Sequence, residues 1–317
     1  MPILNVNGTK INCTQLAYKG EGKPEDLVMV HGLASNMAFW LGDYAKQFTN
    51  KFRVTLFDLR GHGRSGLTND GYTPENLAFD LKELLETLGI EKAHIVSHSF
   101  GGVVAMNYVF NNPERVSSLV LMDTQVNIGR AMVKSNGWHS ADALQNALKE
   151  CGIKIDTKHP YFGYHLMTEV ARFKKEGREI PEVLAPWVQR IFEGNSNRPA
   201  IKWLDLMEGT KALDELTAAD NLSANNLYKI KCPVLALYGE NSHSMATSDY
   251  LNSLWPDKDF VTIENAGHFF PKAYPQMVMQ LCEAFWDKQK FEKLINNYEC
   301  LKYMPHSNDD LKKVSEG

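Results

Sequence analysis

The segment Ser97-His98-Ser99-Phe100-Gly101-Gly102 places a serine where a strand is predicted to break into a helix. The apolar run AHIV before it predicts a buried strand, and VVAMNYVF after it predicts a helix. A serine at the tip of such a turn lifts its hydroxyl above the carboxyl end of a sheet, as in a nucleophile elbow. Gly101 is the small residue needed two positions later, whereas Ser97 stands where glycine is usual. The flanking elements favour a nucleophile over the alternative, an ordinary glycine-containing turn.

A serine hydroxyl needs a base within hydrogen-bond reach before it can attack a carbonyl group. The segment ENAGHFF supplies His268 directly after the last apolar strand. Histidine suits the task because an ordinary imidazole exchanges protons near neutral pH. The alternative is a core histidine satisfied by backbone groups. We interpret His98, next to Ser99, as pocket lining or packing rather than as the base.

Acyl transfer also needs two N–H donors for the oxyanion. The first predicted donor is the backbone of Phe100, immediately after the nucleophile. The second is the backbone of Leu33, because His31-Gly32 follows the buried strand LVMV and bends the chain there.

Alternating strands and helices must position these groups. Asn7-Gly8 predicts a hairpin turn, and Leu27–Val30, Val54–Phe57 and His94–Val96 are apolar enough for strands covered on both faces. Thr73 and Gly89 predict the ends of a helix between the second and third of these strands. The expected fold is α/β, with a doubly wound, mostly parallel sheet. Residues 125–229 show helical patterns only, so we predict a core from 1–124 and 230–317 with a helical cap inserted between two core strands.

The segments HGLAS, DLRGHGRSG, SHSFGG, VLALYGENSH and NAGHF occur in the order typical of the α/β-hydrolase superfamily, which this chain resembles from Val28 to Trp286. The resemblance implies a serine-nucleophile member whose cap is the helical insertion. It also implies that Asp58–Gly66 is a structural turn.

The same resemblance raises the question of which acid orients His268. Most of these enzymes place an aspartate three residues after the glycine that ends the penultimate strand, but here that position is Ser242. Asp123, at the end of LVLMD, matches the branch resembling haloalkane dehalogenases and is the favoured acid. Glu240 is the alternative, and a dyad without an acid is a third possibility.

A serine at the elbow implies an acyl-enzyme, so the expected substrate is a small-molecule ester, thioester or lactone with an apolar or aromatic acyl group. The predicted substrate-binding residues are His31, Phe39, Trp40, His98 and Phe269. Cap aromatic residues, Trp138 and Trp187 among them, are expected to contribute in part. Hydrolysis of C–C bonds, acyl transfer and a catalytically weak ligand receptor remain alternatives.

Composition narrows the class further. The chain has 317 residues, and 34 Lys and Arg against 38 Asp and Glu give a formal charge of −4. No basic stripe indicates a nucleic-acid partner, and no apolar run is long enough to span a membrane. Five widely spaced cysteines without a CxxC pair predict neither a zinc site nor a disulfide framework. We therefore expect a cytoplasmic enzyme with no metal or cofactor, and the sequence leaves its oligomeric state open.

Overall fold

A nine-stranded sheet organises the computed structural model, which describes residues 3–136, 141–188, 191–192, 194, 196–295 and 298–304. The strand order is β1-β2-β4-β3-β5-β6-β7-β8-β9, with β3 to β8 parallel and β1, β2 and β9 antiparallel to their neighbours. The strands are β1 (Ile3–Val6), β2 (Thr9–Leu16), β3 (Glu25–Val30), β4 (Phe52–Phe57), β5 (Ala93–His98), β6 (Val116–Met122), β7 (Val234–Gly239), β8 (Asp259–Ile263) and β9 (Leu301–Met304).

Two helical layers cover the sheet, which explains why its central strands are apolar on both faces. In β3, Val28 and Val30 pack into one core, whereas Leu27 and Met29 pack into the other. The first face carries α3 (Pro74–Thr87), α4 (Phe100–Asn111) and α12 (Met245–Leu254). The second carries α1 (Ala38–Leu41), α2 (Tyr44–Phe48), α13 (Phe270–Ala273), α14 (Pro275–Trp286) and α15 (Lys288–Ile295).

The predicted α3 boundaries are confirmed. The Thr73 side chain accepts a hydrogen bond from the Asn76 amide at 3.2 Å, and Gly89 follows the helix with φ 66°. The hairpin at Asn7-Gly8 and all the predicted core strands are also present. Strand β9, which pairs with β8 at the edge of the sheet, is not predicted by the sequence pattern.

Helices fill the described part of the chain between β6 and β7. They are α5 (Asn127–Asn136), α6 (Ala141–Glu150), α7 (Phe162–Lys175), α8 (Ala185–Val188), α9 (Arg198–Gly209), α10 (Ala212–Leu216) and α11 (Ala224–Leu227), with short 3-10 turns at Glu182–Leu184 here and at Pro113–Arg115 before β6. Apolar residues of α6 to α11 pack into the first core, as with Trp203 and Leu204 of α9. Among the helices in the described ranges, none combines the length and hydropathy that a bilayer span requires.

Successive strands are added on opposite sides of β3 in the sheet. Strand β4 lies on one side of β3, and β5 lies on the other. Open α/β sheets bind ligands at such a switch point, beyond the carboxyl ends of the strands. The segments carrying Leu33, after β3, and Ser99, after β5, start there.

Candidate active site

Ser99 occupies a strained turn between β5 and α4. Its backbone has φ 56° and ψ −129°, a conformation that a non-glycine residue adopts only when its surroundings impose it. The neighbouring backbones are too close for larger residues. A Cβ on Gly101 would lie 2.6 Å from the carbonyl oxygens of Val30 and His31, and one on Gly32 would lie 2.9 Å from the Ser99 Cβ. The turn thus holds the Ser99 hydroxyl above the sheet edge.

The unusual Ser97 fits into this turn without exposing its hydroxyl. Its side chain is fully buried, and Oγ donates to the carbonyl oxygen of Val120 on β6 at 3.0 Å. A serine two positions before Ser99 is therefore compatible with the elbow, because the neighbouring strand provides an acceptor for it.

His268 lies between Ser99 and Asp123. Its Nε2 is 3.0 Å from Ser99 Oγ, and its Nδ1 is 2.6 Å from Asp123 Oδ2. The three residues follow three different parallel strands, β5, β8 and β6, and they meet because those strands end at one edge of the sheet. With Nδ1–H donated to the carboxylate, Nε2 is free to accept the Ser99 proton.

Asp123 is fully buried at the end of β6. Its Oδ1 accepts the Gly239 amide at 2.9 Å, while Oδ2 accepts both the His268 ring and the Ser242 hydroxyl. Burial opposes the charged form, but the hydrogen bond and charge of His268, together with the Ser242 and Gly239 donors, hold the pKa of Asp123 below its ordinary value. The carboxylate is therefore charged at neutral pH.

Glu240 lies apart from this arrangement. One of its oxygens accepts the Asn265 amide at 3.0 Å, and the other pairs with the Lys302 ammonium at 2.7 Å. Of the two acids expected from the sequence, the structure brings Asp123 to His268 and directs Glu240 to the β8–β9 edge.

A cavity of about 550 Å³ opens beside Ser99 and His268. Besides Ser99 and His268, its lining includes the predicted residues Leu33, Phe39, His98, Phe100 and Phe269 of the core, and Trp187 of the insertion. The insertion adds mainly apolar and aromatic walls: Leu144, Phe162, Tyr164, Leu166, Met167, Trp187 and Ile191. Trp138, also expected from the sequence, lies outside the described residues.

His31 and Trp40, both predicted to contact the substrate, do not line this cavity. His31 is fully buried; its Nε2 accepts the Leu59 amide at 3.0 Å and its Nδ1 donates to the Gly32 carbonyl at 2.7 Å. It therefore holds the turn that leads to Leu33. Trp40 is buried between Phe39 and Tyr44, its ring 4.6 and 5.2 Å from theirs. Adjacent residues on a helix point about 100° apart, so Phe39 and Trp40 cannot share a face.

Two further histidines stand next to His268. The His98 and His243 rings each lie 4.9 Å from the His268 ring. Burial and the neighbouring His268 lower the pKa of both to about 3, so they are neutral near pH 7 and too weakly basic to activate Ser99. His98 instead donates from Nε2 to the His268 backbone carbonyl at 3.0 Å and stacks on Phe39.

Among the cavity-lining residues that were not predicted from the sequence are Gln125, Arg130, Ser242 and His243. Ser242 occupies the position where an aspartate is usual in the family. That position was itself a signal that Ser242 lies next to His268. Gln125 and Arg130 lie in the insertion without a recognisable motif, whereas His243 ends the segment VLALYGENSH, so its place in that segment was a signal. No group of three or more His, Cys, Asp or Glu side chains among the described residues is arranged to hold a metal ion.

The chain is similar in sequence to known proteins. A family model described as alpha/beta hydrolase fold matches residues 27–272. A 2-hydroxy-6-oxononadienedioate/2-hydroxy-6-oxononatrienedioate hydrolase of Paraburkholderia phymatum is 41% identical over 107 residues, which are 32% of this chain and 37% of that protein. The dihydrolipoyllysine-residue acetyltransferase component of an acetoin cleaving system of Pseudomonas putida is 30% identical over 198 residues, 61% of this chain and 51% of that protein. The chain thus spans about half or less of these curated relatives.

Solved structures share the fold. Est816, described as an N-acyl homoserine lactone degrading enzyme, has a TM-score of 0.61 and 24% identity, covering 90% of this chain and all of that one.

Proposed function

Since this chain belongs to the alpha/beta hydrolase fold family, we propose that it is a serine hydrolase that acts through an acyl-enzyme. The proposed substrate is an ester, thioester or lactone with an apolar or aromatic acyl group. One observation carries the proposal: His268 lies within hydrogen-bond distance of both the Ser99 hydroxyl and the buried Asp123 carboxylate, at the wall of an aromatic cavity.

The reaction would begin as Ser99 Oγ attacks the acyl carbonyl carbon and its proton passes to His268 Nε2. Asp123 stabilises the resulting imidazolium by accepting the Nδ1–H. The backbone N–H groups of Leu33 and Phe100 are assigned to the oxyanion. Phe100 is the first residue of α4, and the first amides of a helix lack intrahelical partners. Each such donor contributes about 3 kcal/mol to transition-state stabilisation.

The attack of Ser99 gives a tetrahedral intermediate. Its collapse breaks the bond to the leaving group, which takes the proton from His268. A water molecule then loses a proton to His268 and attacks the acyl-enzyme carbonyl carbon. The bond between Ser99 Oγ and the acyl group breaks, Oγ regains its proton from His268, and the acid is released. The helical insertion, residues 125–229, acts as the cap in this account because it supplies much of the apolar wall around the acyl group.

Hydrolysis of p-nitrophenyl esters of increasing chain length tests the proposal. We expect activity that rises beyond acetate, and we expect Ser99→Ala to lose about 10³-fold or more in kcat. Ser97→Gly is the matched control because its hydroxyl faces Val120, away from the cavity; it should keep most of the activity. The proposal fails if esters, thioesters and lactones are all untouched, an outcome that would favour a C–C hydrolase or, if the diketone test below is also negative, a ligand receptor.

Cleavage of a C–C bond is the second candidate, and the relative named as an oxononadienedioate hydrolase supports it. A vinylogous diketone distinguishes ester hydrolysis from C–C bond cleavage. Its dienol form absorbs light, and the absorbance is lost when the C–C bond is cleaved. Turnover of the diketone at a higher kcat/KM than any ester favours the C–C hydrolase. Adding an alcohol to the ester assay, and measuring the transferred product, tests acyl transfer on the same residues.

A further inference from the structure

The cavity beside Ser99 contains a single cation and no carboxylate among the described residues that line it. That cation is Arg130 on α5, and the lining is otherwise apolar, aromatic or uncharged apart from the titratable histidines. Asp123 lies behind Ser242 and His268 and is fully buried. Arg130 is only partly buried there, and the buried part of a guanidinium costs free energy unless an anion accompanies it.

Two tyrosines hold the Arg130 guanidinium in place. Its carbon atom Cζ lies 5.2 Å from the ring centre of Tyr161 and 5.3 Å from that of Tyr164. Nη1 donates to the Pro160 carbonyl at 3.2 Å, and Nη2 donates to the Tyr164 hydroxyl at 3.3 Å. A guanidinium has five N–H donors, so neutral acceptors satisfy only part of it.

No carboxylate of the described residues pairs with Arg130 within 4.0 Å. Asp220 is close enough to raise the pKa of Tyr161 and Tyr164, in both cases after the larger effect of burial. However, its two oxygens accept the amides of Asn127 and Leu222 at 2.6 and 3.1 Å. Within the described ranges, no carboxylate is therefore paired with the charge of Arg130.

Arg130 also acts on the neighbourhood of the proposed base. After burial and the charge of His268, the charge of Arg130 helps to keep His243 neutral. The His243 ring in turn lies 4.9 Å from the His268 ring. The guanidinium thus belongs to the same cavity as the reacting groups, within reach of a small substrate that occupies it.

We propose that the substrate carries a carboxylate that Arg130 binds, so that the enzyme acts on acyl compounds with an apolar body and one anionic end. This inference rests on the proposed hydrolase function. A guanidinium can bind a carboxylate through two parallel N–H···O bonds, and two flanking aromatic rings restrict its orientation beforehand. The carboxylate would thereby select the substrate and fix its depth in the cavity.

Two pairs of esters test the inference and show which side of the substrate bears the charge. The first pair is p-nitrophenyl hexanoate and mono-p-nitrophenyl adipate; the second is phenyl pentanoate and 4-carboxyphenyl pentanoate. In the native protein, the charged member of one pair should exceed its neutral partner at least tenfold in kcat/KM. Arg130→Gln should reduce that ratio about 30- to 100-fold, whereas Arg130→Lys should retain part of it.

Arg172→Gln is the matched control, because Arg172 lies on α7 and pairs with Glu169 and Glu208 at the surface. The ratio of kcat/KM for the charged ester to kcat/KM for its neutral partner should be the same in this variant as in the native protein. Equal or better turnover of the neutral ester in both pairs overturns the inference. So does an Arg130→Gln variant that slows both members equally, since Arg130 would then only hold Tyr161 and Tyr164 together.

A binding measurement separates this inference from the proposed function. Calorimetry with Ser99→Ala, which cannot form an acyl-enzyme, compares adipic acid monoamide with the uncharged adipamide. We expect only the monoamide to bind, with at least tenfold weaker affinity in Ser99→Ala/Arg130→Gln. If this result appears while no ester is hydrolysed, the carboxylate site stands and the hydrolase proposal fails. If both amides bind alike, or neither binds, the carboxylate site is refuted.

Discussion

The hydroxyl of Ser242 donates to a carboxylate oxygen of Asp123, which lies 119 residues away in the chain. Ser242 is three residues after Gly239, where an acid would be expected after this strand, and the acid at the end of β6 reaches the same point in space. The loops after β6 and β7 therefore converge on one position beside His268 Nδ1. Either loop is placed to supply a carboxylate; in this chain Asp123 of the first loop contacts His268, and Ser242 of the second donates a hydrogen bond to Asp123.

The acid should be transferable between these loops. Asp123→Asn is expected to lower kcat by about 10³- to 10⁴-fold, because an amide cannot stabilise the imidazolium or fix its tautomer. The double variant Asp123→Asn/Ser242→Asp should have a kcat at least tenfold higher than Asp123→Asn. The new carboxylate would occupy the position of Ser242 Oγ, which contacts Asp123 beside His268. Steady-state kinetics on the best ester measures both effects.

Glu240→Gln provides the comparison for the alternative acid. Glu240 contacts the Asn265 amide and Lys302 rather than His268. Because exposed charge pairs contribute little to stability, the kcat of Glu240→Gln should stay within about twofold of the native value. A loss as large as that of Asp123→Asn would assign the acid to Glu240 instead.

The glycine after the elbow should tolerate no side chain. A Cβ on Gly101 would lie 2.6 Å from two carbonyl oxygens of the β3 segment, which cannot rotate away. Gly101→Ala is therefore expected to lower the free energy of unfolding by about 1–3 kcal/mol or more and to lower kcat. Urea unfolding measures the first effect. Gly209→Ala, on α9 with no atom within 4 Å of the added methyl group, should not destabilise the protein.

Trp187 should limit the length of the acyl group. It lines the cavity from α8, so Trp187→Ala is expected to shift the preferred p-nitrophenyl ester by at least about two carbons, in line with the volume removed. The chain-length profile of kcat/KM measures the shift. Tyr228→Ala, which removes a ring that is 49% exposed, is the control and should leave the profile unchanged; an unchanged profile in Trp187→Ala would place the acyl group elsewhere.

Buried histidines should make the protein sensitive to acid. Burial, and then the charge of His31, lower the pKa of His62 to about 3. Between an ordinary pKa near 6.5 and pH 3, the unfolded chain therefore binds a proton that the native state does not. Stability must fall as the pH falls through this range, by up to about 1.4 kcal/mol per pH unit for each such group.

His62→Gln should flatten this dependence. Urea unfolding between pH 7 and pH 4.5 should show a slope of the unfolding free energy smaller by up to about 1.4 kcal/mol per pH unit. An unchanged slope would mean that His62 is protonated alike in both states.

Local patterns predicted most of the core and part of the site. Apolar runs, the Thr73 cap and the Asn7-Gly8 turn identify their elements because the causes are local. Ser99 and His268 follow from motifs at the ends of strands. Strand β9 could not be predicted, since its short segment becomes a strand only by pairing with β8.

Other features depend on contacts between distant segments. The choice of Asp123 over Glu240 requires the positions of three loops, and the sequence favoured it only through a family resemblance. The role of Arg130 depends on Tyr161 and Tyr164, which lie more than 30 residues later. The turn held by His31 and the burial of Trp40 likewise depend on packing that spacing does not reveal.

Treatment of the native protein with a fluorophosphonate, followed by location of the adduct by tandem mass spectrometry, tests whether Ser99 is an activated nucleophile. An activated serine should give one adduct, on the peptide that contains Ser99, with none in Ser99→Ala and much slower labelling in His268→Gln. An unlabelled native protein, or an adduct that persists in Ser99→Ala, would contradict the assignment of Ser99 as the nucleophile.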